Sequence, residues 1–175
     1  KRSVVLDLKS EGAKIALRTL IGTADVLVHN MRQEALDKLG FGFAPVRALN
    51  PRIIYCAAVG FGRAGPYGGR PAYDDIIQAA SGFAGLFQMR DGTPVYAPSI
   101  VADKVMGLHL VYATLAALFQ RQRTGTPPDY VEVPMVEAMT AFNLNDRLSG
   151  ATFGDDSQLG YQRALARDRR PYQTK

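Results

Sequence analysis

Seven consecutive residues, Ile53-Ile54-Tyr55-Cys56-Ala57-Ala58-Val59, form a short run without polar alternation. A strand that is apolar at every position needs cover on both faces, as in a parallel sheet packed between helices. The neighbouring segments fit that frame. Val4-Val5-Leu6 and Val26-Leu27-Val28 read as short strands, and Tyr130-Val131-Glu132-Val133 alternates as another. Helical patterns separate them: one capped by Ser10 with Ala13, Ala16, Leu17, Leu20 and Ile21 on a face, one over 33–39, and one over 46–49 closed by Asn50-Pro51. The alternation predicts an α/β fold, a Rossmann-like parallel sheet with helices on both faces and right-handed crossovers. Ligands of such sheets gather beyond the carboxyl ends of the strands. That rule singles out the surroundings of Lys9, of Asn30 and the loop after Val59, expected along one edge.

The loop after Val59 spells GxGxxG, as Gly60-Phe61-Gly62-Arg63-Ala64-Gly65. A dinucleotide fingerprint needs a helix opening through those glycines. Pro66, Gly68, Gly69 and Pro71 follow at once and exclude it. The expectation is no NAD or flavin site, with the glycines serving close approach of the backbone to a ligand or another chain. Further on, helices are predicted over 73–80, stopping near Gly82, from about Val105 to Arg123, and over 135–144, with 93–99 extended by its prolines. In the long helix Val105, Leu108, Val111, Tyr112, Leu115, Leu118 and Phe119 have the spacing of one helical face. Asp103 stands at or just before its first turn, where unpaired amides and the positive dipole end favour an ionised side chain. It is there either an ordinary helix cap or a reactive carboxylate. Beyond Gly150 no period is sustained.

With 175 residues, the chain is long enough for a real core. Its one cysteine, Cys56, excludes an internal disulfide framework and fits a reducing, cytoplasmic setting; within its apolar run it reads as a buried thiol. The net charge of +5 raises nucleic acid as a partner. The basic residues are mixed with carboxylates over most of the chain, the excess collects at Arg163, Arg167, Arg169 and Arg170, and no nucleic-acid motif is present. An anionic small molecule or a solvated surface explains the charge, so neither nucleic acid nor membrane is expected as a partner. No apolar run is read as reaching membrane-span length, and no signal peptide is recognised. His29 and His109 lack ligand spacing, so no metal is expected.

Several segments together resemble the class III CoA-transferases, the CaiB/BaiF family that includes formyl-CoA transferases. Lys1-Arg2-Ser3-Val4-Val5-Leu6-Asp7-Leu8-Lys9 is similar to the family's "KRSvxLDlK" run, and Ala24 to Arg32 to its "ADVlvxNfRp". Leu49 to Tyr55 is similar to "LNPrlIy", and Gly60-Phe61-Gly62 with Gly65-Pro66-Tyr67 to "GfGxxGPy". Asp103 matches the aspartate these enzymes use as nucleophile. Five motifs in order make the resemblance specific. It implies that 1–150 is part of a CoA-binding Rossmann-like large domain, incomplete at both ends, and that 151–175 starts a linker toward an absent small domain. It also implies an interlocked homodimer.

The activity implied is transfer of coenzyme A from an acyl-CoA to a carboxylic acid acceptor, with CoA entering as substrate and no metal. Asp103 would attack the thioester, giving an aspartyl anhydride and then an aspartyl-CoA thioester. The family's CoA contacts fall on Leu6, Lys9, Asn30, Met31, Arg32, Lys38 and Tyr73. Met31 replaces the usual aromatic, and Lys38 a common arginine, which costs the bidentate phosphate grip. Tyr73 occupies the place of a histidine base in the α-methylacyl-CoA racemases. With a reference pKa near ~10, tyrosine is a poor base at neutral pH, which favours transfer. The alternatives are an α-methylacyl-CoA racemase or epimerase with a substituted base, and a non-catalytic, truncated CoA-binding remnant; the isolated fragment is expected to lack activity.

Overall fold

The computed structural model describes residues 1–128, 130–154 and 159–173. The apolar run is the middle of the sheet. Strand β2 (Ile54–Val59) lies between β1 (Val26–His29) and β3 (Val131–Pro134). β1 and β2 are parallel, in register from Val26 opposite Ile54 to His29 opposite Ala57. Alternate residues of the run are buried against different layers. Ile53 and Tyr55 pack with Ile21 of α1 (Glu11–Thr23), Leu36 of α2 (Gln33–Leu39) and Val46 of α3 (Phe43–Leu49). Ile54 and Cys56 pack instead with Ala117, Leu110 and Leu118 of α6 (Val101–Thr124). The absence of polar alternation thus has the cause inferred from it: helices on both faces.

Polar contacts fix the helix ends. Ser10 caps α1 by accepting from the Ala13 N–H at 3.3 Å. Asn50 donates to the carbonyls of Ile21 and Ala24, both at 2.9 Å, closing the C-terminal end of α1. Gly40 ends α2 at φ 83°, a left-handed cap that glycine adopts without strain. Arg121 donates to Asp25 Oδ1 at 2.7 Å and to the Arg52 carbonyl at 2.8 Å, tying α6 to the entrances of β1 and β2.

Contacts divide the chain into two compact units, Lys1–Val59 with Leu108–Val133, and Gly60–Gly107 with Pro134–Lys175. The sheet belongs to the first. The second contains α4 (Asp74–Ala80), α5 (Phe83–Asp91), the residues of α6 up to Gly107, α7 (Met135–Leu148), a 3-10 segment (Ser149–Phe153) and α8 (Gln162–Leu165). Its core is Ile77, Ala102, Val105, Met135 and Met139.

Several expectations need correction. Val4-Val5-Leu6 is not a strand: no ladder partner is present among the described residues, and Val5 is 96% exposed. α5 was not expected, because it is framed by Gly82 and Gly92, both at positive φ, and interrupted by Gly85. An added Cβ on Gly85 would sit 2.9 Å from Arg147 Nη1, the movable end of that side chain. In the apolar stripe of α6 Val105 is buried, but Leu108, Val111, Tyr112, Leu115 and Phe119 are exposed. The face that meets the sheet centres on Ala117, whose small side chain lets the helix approach Ile54 and Cys56 closely. By length and composition α6 is apolar enough to cross a membrane, contrary to the sequence expectation; its packing on β2 accounts for part of that character. Within 151–175, residues 155–158 and 174–175 lie outside the described set.

Candidate functional site

The glycine loop packs closely on its own chain. A Cβ on Gly60 would collide with Ala72, and one on Gly62 with the Glu137 carboxylate. The Gly62 N–H donates to Glu137 Oε1 at 3.1 Å, and Val136 N–H to the Gly60 carbonyl at 3.1 Å. The loop is therefore clamped to the start of α7, and α4 begins only after the prolines, at Tyr73-Asp74.

Asp103 lies inside the first turn of α6, two residues after its start, rather than at the cap. The cap is supplied from α4: the Asp103 N–H donates to Asp74 Oδ1 at 3.0 Å. The other oxygen of that buried carboxylate, Oδ2, accepts from Gln78 Nε2 at 2.5 Å. Gln78 is wholly buried and also accepts from the Ala97 N–H at 2.8 Å through Oε1. The chain turns into α6 through Ser99, whose carbonyl accepts from Val101 N–H and whose hydroxyl accepts from Lys104 Nζ, each at 2.7 Å.

Asp103 as a residue is exposed, yet its carboxyl is partly desolvated. That desolvation, and then the like charge of Asp74, push its pKa above the ordinary aspartate value. A more basic carboxylate is a stronger nucleophile once ionised. The site therefore offers an accessible carboxylate at the head of a 24-residue helix, anchored through its own backbone to a second carboxylate.

The other candidates lie mainly in the first unit. Asn30 and Met31 follow β1 directly and Arg32 is the N-cap residue of α2; all three are exposed at the carboxyl end of the strand. β2 ends at Val59 on the same edge. Lys38 is in the last turn of α2, six residues from Arg32 and so about 9 Å along the axis, at the opposite end of that helix. Lys9 is exposed in a turn where its N–H donates to Asp7 Oδ1 at 3.1 Å, and Leu6 is half-buried. Tyr73 is the N-cap residue of α4 and 74% exposed, adjacent in sequence to Asp74. His29, half-buried at the end of β1, is edge-on to Tyr55 at 5.1 Å, and burial lowers its pKa. Burial likewise raises that of the Cys56 thiol.

Sequence reasoning assigned no role to Asp74 or Gln78. Their i, i+4 spacing on one short helix was a readable sign that the two side chains meet. Nothing in the sequence signals that Asp74 reaches the backbone of a residue 29 positions later.

The family model for CoA-transferase family III matches residues 1–175. The chain is 37% identical over 154 residues to a succinate--glutarate CoA-transferase of Agrobacterium fabrum, covering 86% of this chain and 38% of that protein. It is 41% identical over 125 residues to a formyl-CoA:oxalate CoA-transferase of Streptomyces coelicolor, covering 71% and 30%. The crystal structure of a CAIB/BAIF family protein from Brucella suis superposes with a TM-score of 0.83 at 32% identity, over 91% of this chain and 42% of that one. The chain thus spans well under half the length of the relatives it matches.

Proposed function

The chain belongs to CoA-transferase family III, and on that premise we propose that the full-length protein moves coenzyme A from an acyl-CoA to a free carboxylic acid, with Asp103 as nucleophile. The observation that carries the reading is the accessible, raised-pKa carboxyl of Asp103 in the first turn of α6. The ionised carboxylate attacks the thioester carbonyl, the C–S bond breaks, and CoA thiolate leaves a mixed aspartyl anhydride. The thiolate then attacks the aspartyl carbonyl, releasing the donor acid and forming an aspartyl-CoA thioester. The acceptor carboxylate completes the exchange by the reverse steps. Relatives named for oxalate, succinate and glutarate support a carboxylic acid acceptor. Leu6, Lys9, Asn30, Met31, Arg32, Lys38 and Tyr73 are assigned to CoA contact. Of these, Asn30 and Arg32 are favoured by their exposed place at the carboxyl end of β1. The test is isotope exchange between a labelled free acid and its CoA ester in the full-length protein. Exchange dependent on Asp103 supports the reading; α-proton exchange without acyl exchange overturns it in favour of a racemase.

The reading extends to pH. Asp74→Asn removes the neighbouring charge at similar size, and keeps one of the two hydrogen bonds that the carboxylate accepts from the Asp103 N–H and Gln78. Because that charge raises the Asp103 pKa, its loss lowers it, so more Asp103 is ionised at a given acid pH. The acid limb of kcat/KM is expected to move to lower pH, as a pH–rate profile would record. An unmoved limb contradicts the pairing.

Pairing of two copies, in the cytoplasm, belongs to the same proposal. The exposed stripe Leu108, Val111, Tyr112, Leu115 and Phe119 supports it, since a row of large apolar side chains on one helix face is costly to leave in water. Leu115→Glu in the full-length protein is expected to shift the mass measured by light scattering from dimer to monomer. A dimer retained in that variant rules out this face.

A further inference from the structure

We propose that Gln78 is a positioning residue for Asp103 and acts through Asp74. The inference rests on the transferase reading above and adds a residue to it. A buried carboxamide is costly unless both its ends are paired, and Gln78, fully enclosed, pairs both. Its oxygen is held by the Ala97 N–H at 2.8 Å. Its nitrogen donates to Asp74 Oδ2 at 2.5 Å and approaches the Ser99 carbonyl at 3.4 Å. The amide is thus fixed by the segment that leads into α6, and it in turn fixes one oxygen of Asp74. The other oxygen of Asp74 accepts the N–H of Asp103 at 3.0 Å. Asp74 is so held between two donors, one the buried amide and the other the backbone of the nucleophile. Rotation of the Asp74 carboxylate would release the Asp103 amide, and the Gln78 amide, bonded to the other oxygen, opposes that rotation.

An apolar residue of the same volume could fill the Gln78 site, but it would leave Oδ2 of Asp74 without this donor. Glutamate would place a second acceptor against it. Only a neutral group that donates on one side and accepts on the other meets both Asp74 and Ala97. The hydrogen bonds of Gln78 run to Asp74, Ala97 and Ser99, not to a residue assigned to CoA contact, so its effect is expected on the chemical step rather than on binding.

The test uses the full-length protein as unaltered enzyme, Gln78→Met, Asp74→Ala and the double variant. The rate of forming a hydroxylamine-sensitive adduct on Asp103 is measured in a single turnover and divided by the burst amplitude, which counts competent sites. Gln78→Met is expected to slow the step per competent site on the order of 10- to 100-fold, with KM for the acyl-CoA unchanged. In the Asp74→Ala background the same substitution is expected to change the rate by less than about 3-fold, the non-additivity of residues acting in series. A merely structural role would lower the burst amplitude and leave the per-site rate alone. An unaltered per-site rate, or an equal loss in both backgrounds, overturns the inference. Should Gln78→Met not accumulate as folded protein, Gln78→Leu gives the same comparison, since it also removes the donor without adding a charge. Absence of the adduct in the unaltered enzyme removes the transferase reading and this inference with it; an adduct formed at full rate in Gln78→Met removes the inference alone.

Discussion

Replacing Asp103 with alanine in the full-length protein is expected to lower CoA exchange on the order of 10⁴-fold, the scale of losing a group that makes and breaks covalent bonds. Binding of acyl-CoA should persist, because the residues assigned to it are elsewhere. Folding should also persist: the residue is exposed, and an exposed side chain outside any network contributes little to stability. The folded-state pKa of Asp103 is raised above its ordinary value, by burial and then by Asp74. Its ionised form is therefore the less favoured form in the folded protein, a small destabilisation present above the folded pKa and relieved as pH falls through it. Alanine removes that penalty at neutral pH. A variant that is folded, binds acyl-CoA and does not exchange is the expected outcome, measured by exchange rate, ligand binding and a denaturation curve.

The second large effect concerns the sheet. Tyr55→Ala is expected to destabilise the full-length protein by about 3–5 kcal/mol, the usual cost of truncating a buried aromatic. Tyr55 has 0% exposure, stacks on Tyr130 at 5.7 Å, meets Phe43 and His29 edge-on, and donates its hydroxyl to the Phe41 carbonyl at 3.1 Å. Tyr55→Phe keeps the ring and removes the hydroxyl with its hydrogen bond to Phe41, so about 1 kcal/mol should be lost. Urea denaturation of the two variants separates packing from the hydroxyl. Equal losses would mean that the hydrogen bond, not the ring, holds the helices of α1–α3 to β2.

The sheet was legible because its signal is local. A run such as Ile53 to Val59 states its own two-sided burial, and Ser10, Gly40 and Asn50-Pro51 mark helix ends by their own chemistry. What failed depended on partners. Val4 to Leu6 has strand composition, but a strand requires a neighbour to bond with, and none is present among the described residues. The stripe on α6 has the period of a buried face, yet periodicity says only that a face is apolar, not what covers it. Asp103 was found by resemblance and by its place before an apolar helix. Asp74 and Gln78 were not assigned, because their work is done through space, on an amide and a loop that only folding brings near. The GxGxxG loop is the converse case. Its glycines are read as allowing close approach of a ligand or another chain, and within this chain Ala72 leaves no room for a Cβ on Gly60 while the Gly62 N–H donates to Glu137.

The central claim is that the Asp103 carboxylate itself carries the acyl and then the CoA group. Mass spectrometry of the full-length protein, incubated with an acyl-CoA and quenched with hydroxylamine, tests it directly. The account predicts a hydroxamate on the peptide bearing Asp103, absent without acyl-CoA. Exchange of CoA with that peptide unmodified would contradict it.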